Sequence, residues 1–309
     1  MNERMEILLA TCNGALFLRE QLDSILSQTD ENWHLTISDD GSEDGTKEII
    51  REYTDLYPNK IQQQVSGRHF GNARDHFFYL ADTCDARWMM FCDQDDTWAP
   101  EKVERFRAAS PVAETHDGTE MPLLIFCDQT PTDQKLKPLA ASLMRYQKQY
   151  FKEFDYRSIL FQNVVTGGAM AVNRSLVRLA TEHIQNPNGI IMHDWWLAAV
   201  AARFGKILYI DEPLGTYRQH DMNAVGAKHV GSISYSRDRI GKLDKVRESI
   251  RRKKTQAACF RDTYRERLTE EDLLFLNVFG KKRSGIGFYL KYGKWIHGME
   301  RKIGMALLG

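Results

Sequence analysis

Short apolar runs alternate with segments of helical periodicity in the first part of the chain, and this alternation restricts the possible folds more than any other feature. The apolar runs predict β-strands at Met5–Ala10, Trp33–Ser38, Ile61–Val65 and Trp88–Cys92. Apolar residues at helical spacing predict helices at Leu16–Leu26, Gly45–Leu56, Asn72–Ala81 and Pro100–Ala108. Strands that alternate with helices form a mostly parallel sheet with helices on its faces. The predicted fold class is therefore α/β, with ligand sites at the carboxyl ends of the strands.

A polar cluster follows three of these predicted strands. The clusters are Ala10–Gly14 (ATCNG), Ser38–Thr46 (SDDGSEDGT) and Asp93–Asp96 (DQDD). Because the carboxyl ends of parallel strands share one edge of a sheet, we expect the three clusters to lie along one rim.

The three aspartates of the last cluster would repel one another unless something balances their charge. Asp93, Asp95 and Asp96 either spread into water on an exposed turn or surround a cation. Oxygen ligands select hard cations such as Mg²⁺ or Mn²⁺, which also bind phosphate oxygens. A second acidic strand end on the same rim favours the cation.

Asp39 and Asp40 allow two interpretations. They form an Asx-type turn before a helix capped near Asp44, or their carboxylates accept hydrogen bonds from a base or a ribose at the strand end. The dinucleotide fingerprint G-x-G-x-x-G and the phosphate loop G-x-x-x-x-G-K-[ST] are both absent. A bound nucleotide would therefore be held by other groups.

The alternation becomes less regular in the second half. The sequence predicts strands at Leu123–Cys127, Val164–Arg174 and Lys206–Ile210, a helix at His193–Phe204, a strand or loop at Gly215–His220, and basic helices after about Ser232. The pair Gly167 and Gly168 indicates close approach of a ligand or of backbone.

Two residues in this half have both a structural and a chemical interpretation. Asp194 is a good N-cap for its helix, and it could also act as a general base, because packing against Trp195 and Trp196 would raise its affinity for protons. His220 is either a surface loop residue or a contact to a metal or phosphate.

Composition excludes several classes of protein. Lys and Arg total 42, as do Asp and Glu, so the overall charge predicts no nucleic-acid partner. Five cysteines without close paired spacing are typical of a reduced, cytoplasmic protein. We also expect neither a signal peptide nor a membrane-spanning segment.

The motifs taken together resemble glycosyltransferase family 2, in its bacterial rhamnosyltransferase-like branch. The segments that carry the resemblance are LLATCNGALFLREQLDSILSQT, ISDDGSEDGT, FCDQDDTWAPEKV, TGGAMAVNRSL, MHDWWLA and YRQHDMN, in the family's order. The resemblance covers about residues 5–225. It implies a GT-A catalytic domain at residues 1–225, followed by a helical, basic region at 226–309.

The resemblance also implies roles for individual residues. Thr11, Asn13, Asp39, Asp40 and Asp93 would contact the donor nucleotide, with Asp39 at the base and Asp40 near the ribose. Asp93 and Asp95 match the family's D-x-D pair, with Asp95 as the main ligand of Mn²⁺ or Mg²⁺ and His220 as a further metal or diphosphate contact. Asp194 matches the catalytic base, and the residues expected beside the donor and acceptor sugars are Asp96, Gly167, Gly168 and Trp195.

The implied reaction is transfer of L-rhamnose from dTDP-L-rhamnose, with inversion, to a hydroxyl of a growing lipid-linked cell-surface polysaccharide. The alternatives are a UDP- or GDP-sugar donor, or a non-catalytic protein that binds nucleotide sugars. A sugar nucleotidyltransferase would carry a glycine-rich loop after the first strand, which ATCNG does not supply. His69 and His76 stand where this branch usually has Asn, so the donor contacts of that loop differ from the family pattern.

The basic C-terminal region also has two interpretations. Its aromatic and aliphatic residues either pack as a helix on the catalytic domain or form an interfacial helix that makes a peripheral contact with the inner face of the cell membrane.

Overall fold

The computed structural model describes residues 3–111, 115–116, 119–149, 154–220, 239–280, 285–298 and 302. The strands are β1 Met5–Thr11, β2 Trp33–Asp39, β3 Ile61–Gln63, β4 Trp88–Cys92, β5 Thr115–His116, β6 Thr119–Glu120, β7 Leu123–Thr132, β8 Met170–Asn173 and β9 Lys206–Arg218. The helices are α1 Leu18–Leu26, α2 Thr46–Leu56, α3 Ala73–Thr83, α4 Lys102–Ala109, α5 Leu143–Tyr146, α6 Tyr156–Phe161, α7 Arg174–Thr181, α8 His193–Phe204, α9 Arg239–Thr263, α10 Glu270–Phe279 and α11 Gly285–Tyr292.

In the described residues, seven strands form the central sheet in the order β3-β2-β1-β4-β8-β7-β9. The first four strands in this order are parallel, with Met5 of β1 in register with Trp33 and Trp88. β8 runs antiparallel to both of its neighbours, and β7 pairs with β9 in parallel. The sheet is thus mostly parallel and flanked by helices, which confirms the predicted α/β fold class.

The sheet is buried on both faces because its central strands are apolar at consecutive positions. Leu8, Met89 and Phe91 belong to the core under α3, α7 and α8, whereas Met90 and Cys92 belong to the core under α1, α2 and α4. The apolar run of β4 therefore supplies both cores and brings the acidic segment that follows to the rim of the sheet.

Several predicted boundaries differ from the structure. The segment Val164–Arg174 is not one strand, because Gly167–Ala169 forms a 3₁₀ turn before β8 begins at Met170. The prediction of separate segments at Lys206–Ile210 and Gly215–His220 was wrong, since β9 is continuous to Arg218. The register between β9 and β7 shifts on both sides of Asp128, and pairing continues beyond Pro213.

The C-terminal helices pack on the same apolar core as the sheet. Phe260, Phe275 and Phe288, from α9, α10 and α11, are buried in the core that also contains Phe126 and Trp196. The predicted boundary between residues 225 and 226 lies outside the described residues. Within the described ranges, no helix has the length and apolarity required to cross a bilayer.

Candidate active site

The turn after β1 is held against the turn after β4 by one glutamine. Gln94 accepts a hydrogen bond from the backbone nitrogen of Cys12 (2.8 Å) and donates one to its carbonyl (3.0 Å). Asn13 has a left-handed backbone (φ 48°), which asparagine tolerates better than most residues. A Cβ at Gly14 would lie 2.2 Å from the Gln94 amide oxygen, so the close approach of the two turns requires glycine.

The two aspartates at the end of β2 have different surroundings. Asp39 accepts hydrogen bonds from the Thr11 hydroxyl (2.8 Å) and the Ser42 backbone nitrogen (2.9 Å), and it is partly exposed. Asp40 is buried and accepts hydrogen bonds from the backbone nitrogens of Phe70 and Gly71. Asp39 is therefore open to a ligand, whereas Asp40 holds the loop that follows β3.

Of the two histidines that depart from the family pattern, His69 lies in this loop and His76 lies in α3, which follows it. The His69 ring nitrogen Nδ1 is 3.0 Å from the Asp40 carboxylate. The buried His76 stacks on Phe70, with 4.6 Å between ring centroids. Burial lowers the pKa of His76, so this ring is neutral at pH 7.

Each carboxylate after β4 has a separate partner. Asp93 Oδ2 accepts a hydrogen bond from the Gly168 backbone nitrogen at 3.1 Å. Asp95 Oδ2 lies 2.7 Å from His220 Nε2. Asp96 Oδ1 accepts a hydrogen bond from the backbone nitrogen of Arg218 at 2.9 Å.

The charge of these carboxylates is only partly balanced. Burial, together with the nearby Asp95, raises the pKa of Asp93 to about 7. Burial, together with Asp95 and Asp93, raises the pKa of Asp96 well above its ordinary value. The wholly buried Lys102 donates to the Gly168 carbonyl at 2.6 Å. Burial lowers the pKa of this lysine and so disfavours its charged form. Full ionisation of the cluster is thus disfavoured, and a bound cation would stabilise the ionised carboxylates.

A divalent cation could be held here by one or two carboxylates together with phosphates of a substrate. In the part of the chain that the structure describes, no three His, Cys, Asp or Glu side chains are arranged to hold a metal ion. Asp95 and Asp93 nevertheless offer carboxylate oxygens at one rim, and Mg²⁺ is commonly held by one or two carboxylates together with phosphates of the substrate. His220 could join such a site only by giving up its contact with Asp95.

Arg218 fixes the end of β9 to the acidic turn. It is 2% exposed, and its guanidinium donates to the carbonyls of Asp95 (2.7 Å) and Gln134 (3.0 Å) and pairs with Glu20. The same group lies 4.5 Å from the centroid of the Phe17 ring. This buried arginine therefore determines where the Asp95 backbone lies relative to α1.

The glycine pair joins Asp93 to Asp194. Gly168 donates to Asp93, and the backbone N–H of the adjacent Gly167 stabilises the ionised form of Asp194. Burial raises the pKa of Asp194 to about 7, and the nearby Asp93 adds to the effect. The start of α8 thus carries a carboxylate that titrates near neutral pH beside the acidic cluster.

Two further features explain why residues 167 and 168 are glycine. A Cβ at Gly167 would lie 2.9 Å from His193 Nε2, and one at Gly168 would lie 2.8 Å from Asp93 Oδ2. His193 is buried between Phe77 and Phe91, and burial lowers its pKa to about 3. His193 is therefore a neutral packing group that presses against the glycine turn.

Asp39, Asp95 and Asp194 are connected through short chains of contacts. Asp39 bonds Thr11, the next residue Cys12 bonds Gln94, and Asp95 follows Gln94 directly. Asp194 is connected to Asp93 through the two glycines. Trp195 also lies at this edge, where its indole nitrogen donates to the Ile159 carbonyl.

Several residues of this site were not predicted from the sequence. They are Gln94, Lys102, Gln129 and Arg218. Lys102 could have been recognised from the sequence as a buried lysine, because it lies on the buried face of α4 together with Val103 and Phe106. The others depend on contacts between distant segments, such as the donation from Gln129 to Asp96 at 3.2 Å.

Known proteins resemble this chain in sequence and in fold. The family model described as Glycosyl transferase family 2 matches residues 6–176. A dTDP-rhamnosyl transferase of Shigella flexneri, RfbG, is 29% identical over 240 residues, which cover 74% of this chain and 77% of the relative.

Solved structures share the fold. Staphylococcus aureus TarS in complex with UDP-GlcNAc superposes with a TM-score of 0.57 at 14% identity, covering 98% of this chain and 78% of TarS. The mannosyltransferase PcManGT of Pyrobaculum calidifontis, in complex with GDP-Man and Mn²⁺, gives a TM-score of 0.53 at 12% identity, covering 99% of this chain and 86% of that enzyme.

Proposed function

The chain belongs to glycosyltransferase family 2, and from this premise we propose that it transfers a sugar from a nucleotide-sugar donor to an acceptor hydroxyl, with inversion at the anomeric carbon. One observation carries the proposal: the backbone N–H groups of adjacent glycines interact with Asp93 and Asp194, so the acidic rim and a carboxylate titrating near neutral pH meet at one turn.

Asp194 would act as the general base. With a pKa of about 7, a substantial fraction of this group is ionised at neutral pH, and it still has appreciable affinity for a proton. It would take the proton of the acceptor hydroxyl as that oxygen attacks C1 of the sugar. The bond from C1 to the nucleoside diphosphate breaks in the same displacement.

The acidic rim would hold the diphosphate of the donor. Asp95 and Asp93 are the residues that would bind Mn²⁺ or Mg²⁺, and Asp39 and Thr11 would bind the nucleoside together with Asn13. A bound divalent ion supplies Lewis-acid stabilisation of negative charge on a leaving diphosphate. Asp40 contributes indirectly, since it orders the Phe70–Gly71 backbone beside Asp39.

The proposed donor is dTDP-L-rhamnose. The dTDP-rhamnosyl transferase of Shigella flexneri supports this choice, whereas the UDP-GlcNAc and GDP-Man in the two solved structures favour a UDP- or GDP-sugar as the second candidate. Thermal-shift measurements with Mn²⁺ and each class of nucleotide sugar would decide. We expect the largest stabilisation from dTDP-L-rhamnose; greater stabilisation by a UDP- or GDP-sugar would contradict this donor.

The proposed acceptor is a growing, lipid-linked cell-surface saccharide at the inner face of the cell membrane. The aromatic side of α11 is buried through Phe288 and Tyr292, so a membrane contact would use the opposite side. There Leu290 is 78% exposed beside Lys291.

Sedimentation with phosphatidylglycerol vesicles tests this contact. We expect Leu290→Asp to reduce binding, with Val65→Asp as the matched control because Val65 is 79% exposed and lies far along the chain, at the loop after β3. Equal binding of Leu290→Asp and the parent protein would contradict a membrane role for α11.

A further inference from the structure

A groove lies beside the proposed base, between the start of α8, the segment that precedes it and α9. It consists of two adjoining cavities of about 430 and 280 Å³, which share Ile191 and Arg252 as lining residues. Trp195 lines the larger cavity, and it directly follows Asp194. The groove therefore borders the first turn of α8, which carries the proposed base.

The lining of the groove is predominantly cationic. Five cations and two carboxylates border the two cavities: Arg74, Lys245, Arg251, Arg252 and Lys253, with Asp244 and Glu248. Both carboxylates are already paired, because Arg251 donates two hydrogen bonds of 2.8 Å to Glu248 and Arg247 donates one of 3.2 Å to Asp244. Arg74 is paired with Asp75, which does not line the groove. An anionic ligand is thus favoured over a neutral one.

The walls of the groove are held in place by hydrogen bonds. The wholly buried Gln256 of α9 accepts from the Ile191 backbone nitrogen at 2.8 Å, and Arg74 donates to the Ile190 carbonyl at 2.8 Å. A Cβ at Gly189 would lie 3.0 Å from the Cβ of Cys259, so the segment and the helix are in close contact. The groove is therefore formed before any ligand binds.

An aromatic ring lies among these cations. The Trp195 indole is anchored by its bond to the Ile159 carbonyl, and Lys253 Nζ lies 5.9 Å from the ring centroid. An apolar aromatic surface beside a few charged groups is suited to a ligand that combines a sugar or lipid portion with phosphate.

We propose that this groove binds the phosphate groups through which the acceptor saccharide is joined to its carrier. The inference rests on the proposed function, because it assumes that the acceptor presents its hydroxyl to Asp194. The arginine guanidinium matches phosphate in a bidentate geometry, and Arg252 borders both cavities. The phosphates would thus anchor the acceptor while its sugar extends past Trp195 to the base.

Binding of inorganic pyrophosphate and geranyl diphosphate tests the proposal by isothermal titration calorimetry. EDTA and saturating dTDP are present, so that binding of the probes at the donor site is blocked. We expect Arg252→Gln combined with Lys253→Gln to weaken binding of both probes at least tenfold. Arg267→Gln, an exposed cation outside the groove, serves as the control and should leave binding within twofold. Equal affinity of the double variant and the parent protein, or absence of probe binding to the parent protein in saturating dTDP, would overturn the proposal.

A second arm separates acceptor phosphate from membrane phosphate. Sedimentation with phosphatidylglycerol vesicles should be the same for the double variant and the parent protein. A parallel loss of vesicle binding and geranyl diphosphate binding would assign the groove to lipid headgroups and overturn the proposal.

Donor binding separates this inference from the proposed function. The double variant should keep the thermal shift that the parent protein shows with nucleotide sugar and Mn²⁺. If the parent protein binds pyrophosphate through the groove but transfers no sugar, the proposed function fails and the anion site stands. If it transfers sugar and the double variant binds pyrophosphate normally, the groove proposal alone fails.

Discussion

Gly168 donates its backbone N–H to Asp93 Oδ2 at 3.1 Å, and it can do so because it has no side chain: a Cβ at this position would lie 2.8 Å from the same oxygen. Burial raises the pKa of Asp194, and the backbone N–H of the neighbouring Gly167 partly opposes this rise. One short turn therefore sets the separation between the acidic rim and the proposed base.

Gly168→Ala should disturb this turn. The added methyl group forces Asp93 or the turn to move, and overpacking of this kind typically costs about 1–3 kcal/mol. We expect a Tm lowered by several degrees and weaker Mn²⁺-dependent donor binding, measured by thermal shift. Gly287→Ala is the control, because a Cβ there meets nothing within 4 Å. Similar behaviour of the two variants would show that the close approach at Gly168 has no consequence.

Metal binding should depend on Asp95 and on pH. The pKa of Asp93 is raised to about 7, so this group must lose a proton before it can bind Mn²⁺, and affinity should rise as the pH increases from 6 to 8. Asp95→Asn should lower Mn²⁺-dependent donor binding at least tenfold at every pH. Titration of donor with and without EDTA measures both effects, and donor binding that is insensitive to EDTA would argue against the metal.

Arg218→Lys should destabilise the protein. Lysine cannot reproduce the fork that reaches the Asp95 and Gln134 carbonyls and Glu20, and removing a partner from a buried ionic network costs about 3 kcal/mol. Chemical denaturation measures the free energy of unfolding. Arg105→Lys is the control, since its pair with Glu212 is half-exposed and is worth at most about 1 kcal/mol. An unfolding free energy equal to that of the parent protein would refute a structural role for Arg218.

Activity should increase with pH and level off above neutrality. Asp194 must be ionised to accept a proton, and its pKa is raised to about 7 by burial, so the rate should rise through an apparent pKa near 7. The measurement is kcat at saturating donor and metal between pH 5.5 and 8.5. A rate that falls over this range would contradict a carboxylate base.

The sequence predicted those parts of the site that depend on local pattern. The apolar run Trp88–Cys92 has the predicted bounds as β4, and helix α8 begins at His193 as expected. Both segments are predominantly apolar and have sharp polar boundaries, which makes their ends visible without tertiary information.

The remaining features depend on contacts that local pattern does not contain. Asp40 is adjacent to Asp39 in sequence, yet only the fold shows that the Phe70–Gly71 backbone occupies its carboxylate. Arg218 lies in a strand continued through irregular pairing with β7, and its partners come from segments far apart in the chain. Lys102 likewise reaches the Gly168 carbonyl only because the fold packs α4 against the glycine turn.

The most direct test of the central claim compares donor binding and sugar transfer in Asp194→Asn. Asparagine keeps the size of the side chain but cannot accept the proton, so donor affinity should stay within about threefold while the transfer rate falls by about 10²–10⁴-fold. Transfer at the parental rate by this variant would contradict the proposed base and, with it, the site described around Gly167 and Gly168.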